Sequence, residues 1–287
     1  MIKNNKKPWL LLLPGLFIMI ATVFIPVIRT FIFSLQRYNL TDPTGIKFIG
    51  LKNYIEVFKD PDFILALKNS LIIIILVLIL TMISSLAVGL LLNKKTKITA
   101  ILTAIAILPW ALPPLVNGIM WKFIFYPGYG FANKILLNLN IISTPISFTN
   151  NLTLLLLAIS MAVQWRASPF CSLIILSSLQ SIPDELYEAA SIDGCNKWQK
   201  FKAITLPMIS PSLFIVVINI LMVSINVFDE VIAIVGYRFD SQNLLTYNYL
   251  HTFSYLDFGY GSAVTYVILL ISALIGFLYI RNMVNKV

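Results

Sequence analysis

Six apolar stretches, each long enough to cross the ~30 Å hydrocarbon core of a bilayer as a helix, alternate with more polar segments along this chain. They run from about Trp9 to Ser34, Asn69 to Leu92, Ile98 to Phe125, Leu152 to Leu179, Met208 to Val235 and Ser262 to Ile280. Inside a bilayer every backbone N–H and C=O needs a partner within the protein, so stretches of this kind must be helices. A composition of 59% hydrophobic and 11% charged residues agrees, being far from that of a soluble domain. The predicted fold class is all-α, a polytopic membrane protein of six transmembrane helices. The basic start and apolar run at the amino terminus are also features of a cleaved signal peptide, but this run is too long and lacks a small-x-small cleavage site, so it is read as a span.

The net charge of +9 would direct a soluble protein towards nucleic acid. Here most cations sit in short clusters between apolar segments, where they set orientation. An inside amino terminus places Lys3, Lys6, Lys7, Lys94, Lys95, Lys97, Lys197, Lys200, Lys202, Arg281 and Lys286 in the cytoplasm, against Arg37, Lys47, Lys52, Lys59, Lys68, Lys134 and Arg238 outside. The expected surroundings are membrane lipid and not nucleic acid. Abundant Ile, Asn and Lys with little Arg suggest an AT-rich bacterial genome, hence a bacterial plasma membrane with both termini cytoplasmic. Cys171 in a span and Cys195 in a loop predict neither a disulfide nor a metal site.

The longest polar passage on the expected cytoplasmic side, residues 180 to 207, joins the fourth and fifth spans. Pro183 suits a first helical position, and Asp184 and Glu185 suit the first turn, where carboxylates meet the positive end of the helix dipole. Glu188, Ala189 and Ala190 follow, and Asp193-Gly194 is expected to end this helix. A second helical run, Trp198 to Leu206, leads to Pro207 and the next span. Two small residues beside a carboxylate, closed by a glycine, make a surface that a partner protein can approach closely; an ordinary amphipathic loop is the plainer alternative.

Polar residues inside the spans mark candidate solute contacts. Pro109, Pro113 and Pro114 must interrupt the third span, as either a packing kink or the lining of a wet cavity. Gln164 and Arg166 lie near the centre of the fourth span, where a charge costs on the order of 3 kcal/mol and must face protein or water. A structural ion pair and a substrate contact both remain open for Arg166, the former favoured. In the fifth span Asn219, Asn226 and Glu230 are spaced to share one helical face, a polar stripe suited to a solute path; Asp229 and Glu230 at the outer interface would instead be solvated. His251, in the last outer loop, has no companion ligand in the sequence.

Several motifs resemble those of the permease subunits of binding-protein-dependent ABC importers. Glu188-Ala189-Ala190, Gly194 and Ile204-x-Leu206-Pro207 resemble the EAA loop, the coupling helix that in this family docks on the ATP-hydrolysing subunit. Phe48-Ile49-Gly50-Leu51-Lys52-Asn53-Tyr54, Leu108-Pro109-Trp110-x-Leu112-Pro113-Pro114, Trp165-Arg166 before Pro169-Phe170, and the stretches Leu245 to Leu250 and Phe258 to Ala263 are similar to the carbohydrate-uptake branch. Gly236 to Asp240 departs from the family's glycine-glycine-proline turn, which puts that loop's contact with a solute-binding protein in question.

The resemblance implies a coupling helix between the fourth and fifth spans, with Glu188, Ala189, Ala190, Gly194, Leu206 and Pro207 as ATPase-coupling residues. It implies a second permease subunit, two ATPase subunits and an extracytoplasmic solute-binding protein as partners, and a sugar, oligosaccharide or related polyol as cargo. No glycine-rich loop ending in Gly-Lys-Ser or Gly-Lys-Thr occurs, so ATP and Mg are expected to be used by the partner ATPases and no cofactor by this chain. The expected organisation is a first span and outer loop over 1–68, a core permease domain over 69–281, and a tail over 282–287. The alternatives are a permease for an amino acid or phosphate, and a self-sufficient secondary transporter. The latter needs midplane carboxylates and often repeated halves, which this sequence does not offer. A membrane enzyme would need a convergent nucleophile, base or metal set, and His251, Asp229 and Glu230 do not make one.

Overall fold

The computed structural model describes residues 7–42, 44–94 and 96–284, so Lys3, Lys6, Lys95 and Lys286 lie outside the described residues. In chain order the helices are α1 (Lys7–Met19), α2 (Ile25–Ser34), α3 (Lys52–Lys59), α4 (Pro61–Leu92), α5 (Thr99–Ile107), α6 (Pro114–Ile124), α7 (Phe131–Asn138), α8 (Leu152–Gln180), α9 (Asp184–Ile192), α10 (Lys197–Lys200), α11 (Leu206–Ile225), α12 (Asp229–Val235), α13 (Leu244–Tyr249) and α14 (Phe258–Val284). One two-stranded ribbon pairs β1 (Gln36–Arg37) antiparallel with β2 (Lys47–Phe48), with Gln36 opposite Phe48. Five helical stretches among the described residues are long and apolar enough to cross a membrane, or six if one sharply bent pair is a single span. The all-α polytopic reading therefore holds.

The bent pair is the predicted proline interruption. α5 gives way to a 3-10 turn at Leu108–Ala111, and α6 restarts at Pro114 with its axis turned by 98°. Leu112 and Pro113 each precede a proline, which disfavours the α region, and both are extended at ψ 135° and 140°. The first span yields differently: a π-helical turn, Ile20–Phe24, joins α1 to α2, and Pro26 falls in the first turn of α2, where a missing N–H is tolerated.

The fifth span differs from the expected Met208 to Val235. α10, a π-helical turn at Phe201–Thr205 and α11 form one helical stretch, Lys197–Ile225, so the second helical run and the span are continuous across Pro207. Pro207 sits in the first turn of α11, directly after the wide turn that loosens the hydrogen-bond ladder. The helix stops at Ile225. There Asn226 Nδ2 donates to the Met222 carbonyl at 2.7 Å, and Phe228 (φ −136°) leaves the helical region before α12 begins anew. The sixth span starts at Phe258, earlier than the expected Ser262.

The chain falls into two compact units, one made of residues up to Phe63 with Tyr247–Ile271, the other of Ile64–Thr246 with residues from Ser272. In the second, a core of Ile73, Val77, Leu155, Ile159, Ile175, Val216, Ile220 and Val231 is fully or almost fully buried. Lipid tails are as apolar as these side chains, so the packing derives from close contact and hydrogen bonding more than from escape from water. Asn117 Nδ2 donates to the Ala162 carbonyl at 2.9 Å, tying α6 to α8. At Gly118 an added Cβ would stand 2.5 Å from the Ala233 Cβ, so glycine is what lets α6 lie on α12. In the first unit Asn53 Nδ2 donates to the carbonyls of Ser34 and Gln36, both at 2.9 Å, anchoring α3 beside the end of α2.

Candidate functional site

The segment joining α8 to α11 folds as the sequence predicts, with one displacement. Pro183 precedes the helix at ψ 134° instead of opening it, and Asp184 and Glu185 occupy the first turn of α9. After Ile192 the chain turns through Gly194 at φ +77°, a conformation that favours glycine, while the Cys195 N–H reaches back to the Ala190 carbonyl at 2.9 Å. Asn196 and Gln199 then form a reciprocal capping box that starts α10. The Tyr187 hydroxyl bonds Thr205 at 2.9 Å, and Lys200 Nζ donates to Ser191, so one side of α9 is held to the following helix.

Glu188 and Ala189 are exposed, and the Glu188 carboxylate makes no hydrogen bond or ion pair with another described residue. Ala190 is partly buried, and Gly194, Leu206 and Pro207 are exposed, Leu206 and Pro207 at the start of α11. Two apolar side chains that the sequence reading did not single out stand out here: Ile192 is 88% exposed and Trp198 is 69% exposed. Exposed apolar groups of this size mark interaction surfaces, but among the other apolar residues of this loop, such as Leu186 and Phe201, nothing in the sequence sets these two apart. A cavity of about 640 Å³ lies beside α9, lined by Asn93, Lys94, Thr99, Gln180, Asp184 and Tyr187.

Inside the spans, polar groups converge on α8. Arg166 Nε donates to Glu230 Oε1 at 3.1 Å, joining α8 to α12, with Glu230 only 2% exposed. This corrects the expected common face: Asn219 lies on α11, Asn226 just beyond its end, and Glu230 on a separate helix. Glu230 is buried and paired, not solvated at an interface, because the chain break at Asn226 to Phe228 lets α12 fold back against α6 and α8. Gln164 Oε1 accepts from Ser84 at 3.1 Å, and Ser84 also bonds Ser168 at 2.9 Å, a polar cluster between α4 and α8. Asn219 Oδ1 accepts a weak bond from the Cys171 thiol at 3.7 Å. Near the proline break Trp110 stacks on Phe170 with ring centroids 5.5 Å apart and planes 17° from parallel.

A third cluster surrounds His251. Its ring lies 4.4 Å from that of Tyr247 and 4.6 Å from that of Tyr260, while both tyrosine hydroxyls donate to Asp60 Oδ2, at 2.5 and 3.1 Å. Burial alone would raise the Asp60 carboxyl, but the bonds from Tyr247, the Asp62 backbone and Tyr260 outweigh it and hold the group below its ordinary value. Burial pushes the His251 imidazole below its ordinary value, against the pull of Asp60, Asp257 and Asp62. Burial and the Asp60 bond push the Tyr247 phenol up. No spacing in the sequence points to this arrangement, whose members come from α13, the π-helical turn Leu250–Ser254 that follows it, α14 and the residue before α4. Among the described residues no group of three or more His, Cys, Asp or Glu is placed to hold a metal ion.

The family model of the binding-protein-dependent transport system inner membrane component matches residues 81–283. The trehalose/maltose transport system permease protein MalF of Thermococcus litoralis is 32% identical over 267 residues, which is 92% of this chain and 88% of that protein. The sulfoquinovosyl glycerol transport system permease protein SmoG of Agrobacterium fabrum is 31% identical over 279 residues, 96% of this chain and 90% of that one. Among solved structures, a chain of a bacterial alginate ABC transporter, crystallised with an alginate pentasaccharide-bound periplasmic protein, superposes with a TM-score of 0.82 at 21% identity, covering 96% of this chain and 94% of that chain. That likeness carries the fold alone.

Proposed function

Because this chain belongs to the family of binding-protein-dependent transport system inner membrane components, we propose that it forms one half of a solute path driven by ATPase subunits docked on α9. It is a transport component of the membrane and not an enzyme. The proposed partners are a second permease subunit, two ATPase subunits and an extracytoplasmic solute-binding protein. ATP and Mg are used by the ATPases, and this chain binds no cofactor of its own. Residues 69–281 act as the core permease domain, both termini face the cytoplasm, and the membrane is a bacterial plasma membrane.

The observation that carries this reading is the surface of α9. A helix closed by a glycine at φ +77° and tied along one side presents an exposed Glu188, without a partner among the described residues, beside Ala189, with Ile192 and Trp198 exposed close by in the chain. Glu188 pairs with a cation of the ATPase, while Ala189, Ala190, Gly194, Leu206 and Pro207 allow close approach. In the path, Gln164, Asn219 and Asn226 offer neutral hydrogen-bonding groups, and Arg166 with Glu230 serves to brace α8 against α12. The cargo is a sugar, oligosaccharide or related polyol. The names of the relatives support it, and so do the Trp110 and Phe170 rings, an apolar platform of the sort that sugar faces stack on. The test is co-purification from the native membrane with the partners identified by mass spectrometry. An ATPase and a second permease of similar size are the expected result; this chain alone, stable and still moving solute, would favour a self-sufficient secondary transporter instead.

A further inference from the structure

An open groove of about 510 Å³ follows the last turns of α8, from Phe170 past Ser177 and Ser178 to Ser181, with Ser212 of α11 opposite. From Phe170 to Ser181 the helical rise is about 16 Å, roughly half of the ~30 Å hydrocarbon thickness. The groove therefore leads from the level of the Trp110 and Phe170 pair to the start of the α9 segment.

Two of its hydroxyls behave unlike others in the spans, whereas Ser181 turns back to the Ser178 carbonyl at 2.8 Å. Thr22, Thr30, Ser160 and Ser224 each turn back to the carbonyl four residues earlier, as hydroxyls in apolar helices do when nothing else is offered. Ser177 and Ser212 make no side-chain bond with any described residue, and Ser177 is exposed. A helix side that meets only lipid gains nothing from free hydroxyls. Among the described residues no Lys, Arg, Asp or Glu lines the groove, and the intramembrane charges of α8 and α12, Arg166 and Glu230, are paired with one another. A path for an ionic solute would need a compensating charge along its length. Neutral hydroxyls, each able to donate and accept, can replace the hydration of a polyhydroxylated solute while binding it weakly enough to let it leave.

We propose that this groove is the chain's share of the leg of the solute path that leads from the membrane centre to the α9 side, and that it admits uncharged, polyhydroxylated solutes. The proposal rests on the importer reading above. It is tested in membranes holding the assembled complex, with Ser177→Cys and, separately, Ser212→Cys, and reaction at each position read peptide by peptide by mass spectrometry so that Cys195 is scored apart. Three water-soluble methanethiosulfonates of similar length are compared, carrying a glucosyl, a trimethylammonium or a sulfonate group, together with a lipid-soluble maleimide. Both positions should react with the glucosyl reagent at least tenfold faster than with either charged one, and at least tenfold faster without nucleotide than after trapping with ATP and vanadate. Ile215→Cys, on an exposed part of α11 outside the groove, should react only with the maleimide. Reaction of both serine positions with the maleimide alone, or with neither class, overturns the path. Equal rates for the three soluble reagents overturn the selectivity. If no ATPase co-purifies with the complex, the importer reading itself has failed, and that result is distinct from either of these.

Discussion

Around Glu230 the chain supplies a cation and burial, whereas Glu188 is exposed and meets no cation among the described residues. Glu230 is 2% exposed and bonded to Arg166, inside an assembly where Gly118 brings α6 onto α12. Glu188 is exposed on a short helix with no partner among the described residues. A bilayer tolerates an uncompensated charge poorly, so the intramembrane carboxylate had to be satisfied within the fold. Water tolerates one freely, so the carboxylate on α9 can be left for another protein. The contrast separates residues that hold the permease together from residues that connect it to its motor.

The largest expected effect on stability comes from breaking the Arg166 and Glu230 pair on one side. Arg166→Ala leaves a buried carboxylate without its partner and should cost about 3–5 kcal/mol, seen as a lowered unfolding temperature in detergent. Arg166→Met with Glu230→Leu should recover most of it. A double variant as unstable as the single one would mean that the pair is not the source of the loss. Gly118→Val should come next, destabilising by about 1–3 kcal/mol because the new side chain meets Ala233 and the Glu230 backbone. Its measured effect should not add to that of Glu230→Leu, since both act on the contact with α12.

A smaller effect is expected from pH at the outer cluster. The folded Asp60 carboxyl lies below its ordinary value, so its stabilisation is present above the unfolded pKa of about 3.9 and is lost as pH falls through the lower folded value. His251 has the opposite origin: its folded value lies below the ordinary ~6.5, so the unfolded state takes up the proton first and stability falls as pH drops through that region. Amide protection over residues 247–260, taken relative to the intrinsic base-catalysed exchange rate at each pH, should therefore fall several-fold between pH 7.5 and 5.5, and His251→Phe should flatten that dependence. The same profile in both proteins would exclude His251 as its cause.

Much of this was legible in the sequence where the physics is local. The spans follow from apolar length, the 98° bend from Pro109, Pro113 and Pro114, and the end of α9 from Gly194. The pairing of Arg166 was legible only as a need, because its partner lies on a helix whose existence depends on the break after Ile225. That break arises from Asn226 and Phe228, neither a strong helix breaker, in a stretch that reads as one apolar run. The Asp60, Tyr247, Tyr260 and His251 cluster was illegible for a related reason: its members are far apart in the chain and share no periodicity.

The smallest structural effect should accompany the largest functional one, at Glu188. In the reconstituted complex, Glu188→Lys should leave the unfolding temperature of the permease unchanged, since an exposed side chain with no partner among the described residues contributes within about 0.5 kcal/mol. ATP-driven uptake and ATPase association should be measured for this variant beside its unfolding temperature. Uptake should fall at least tenfold with stability intact. Normal uptake with the ATPase still bound would contradict it, and would show that α9 does not transmit the work of ATP hydrolysis to the spans.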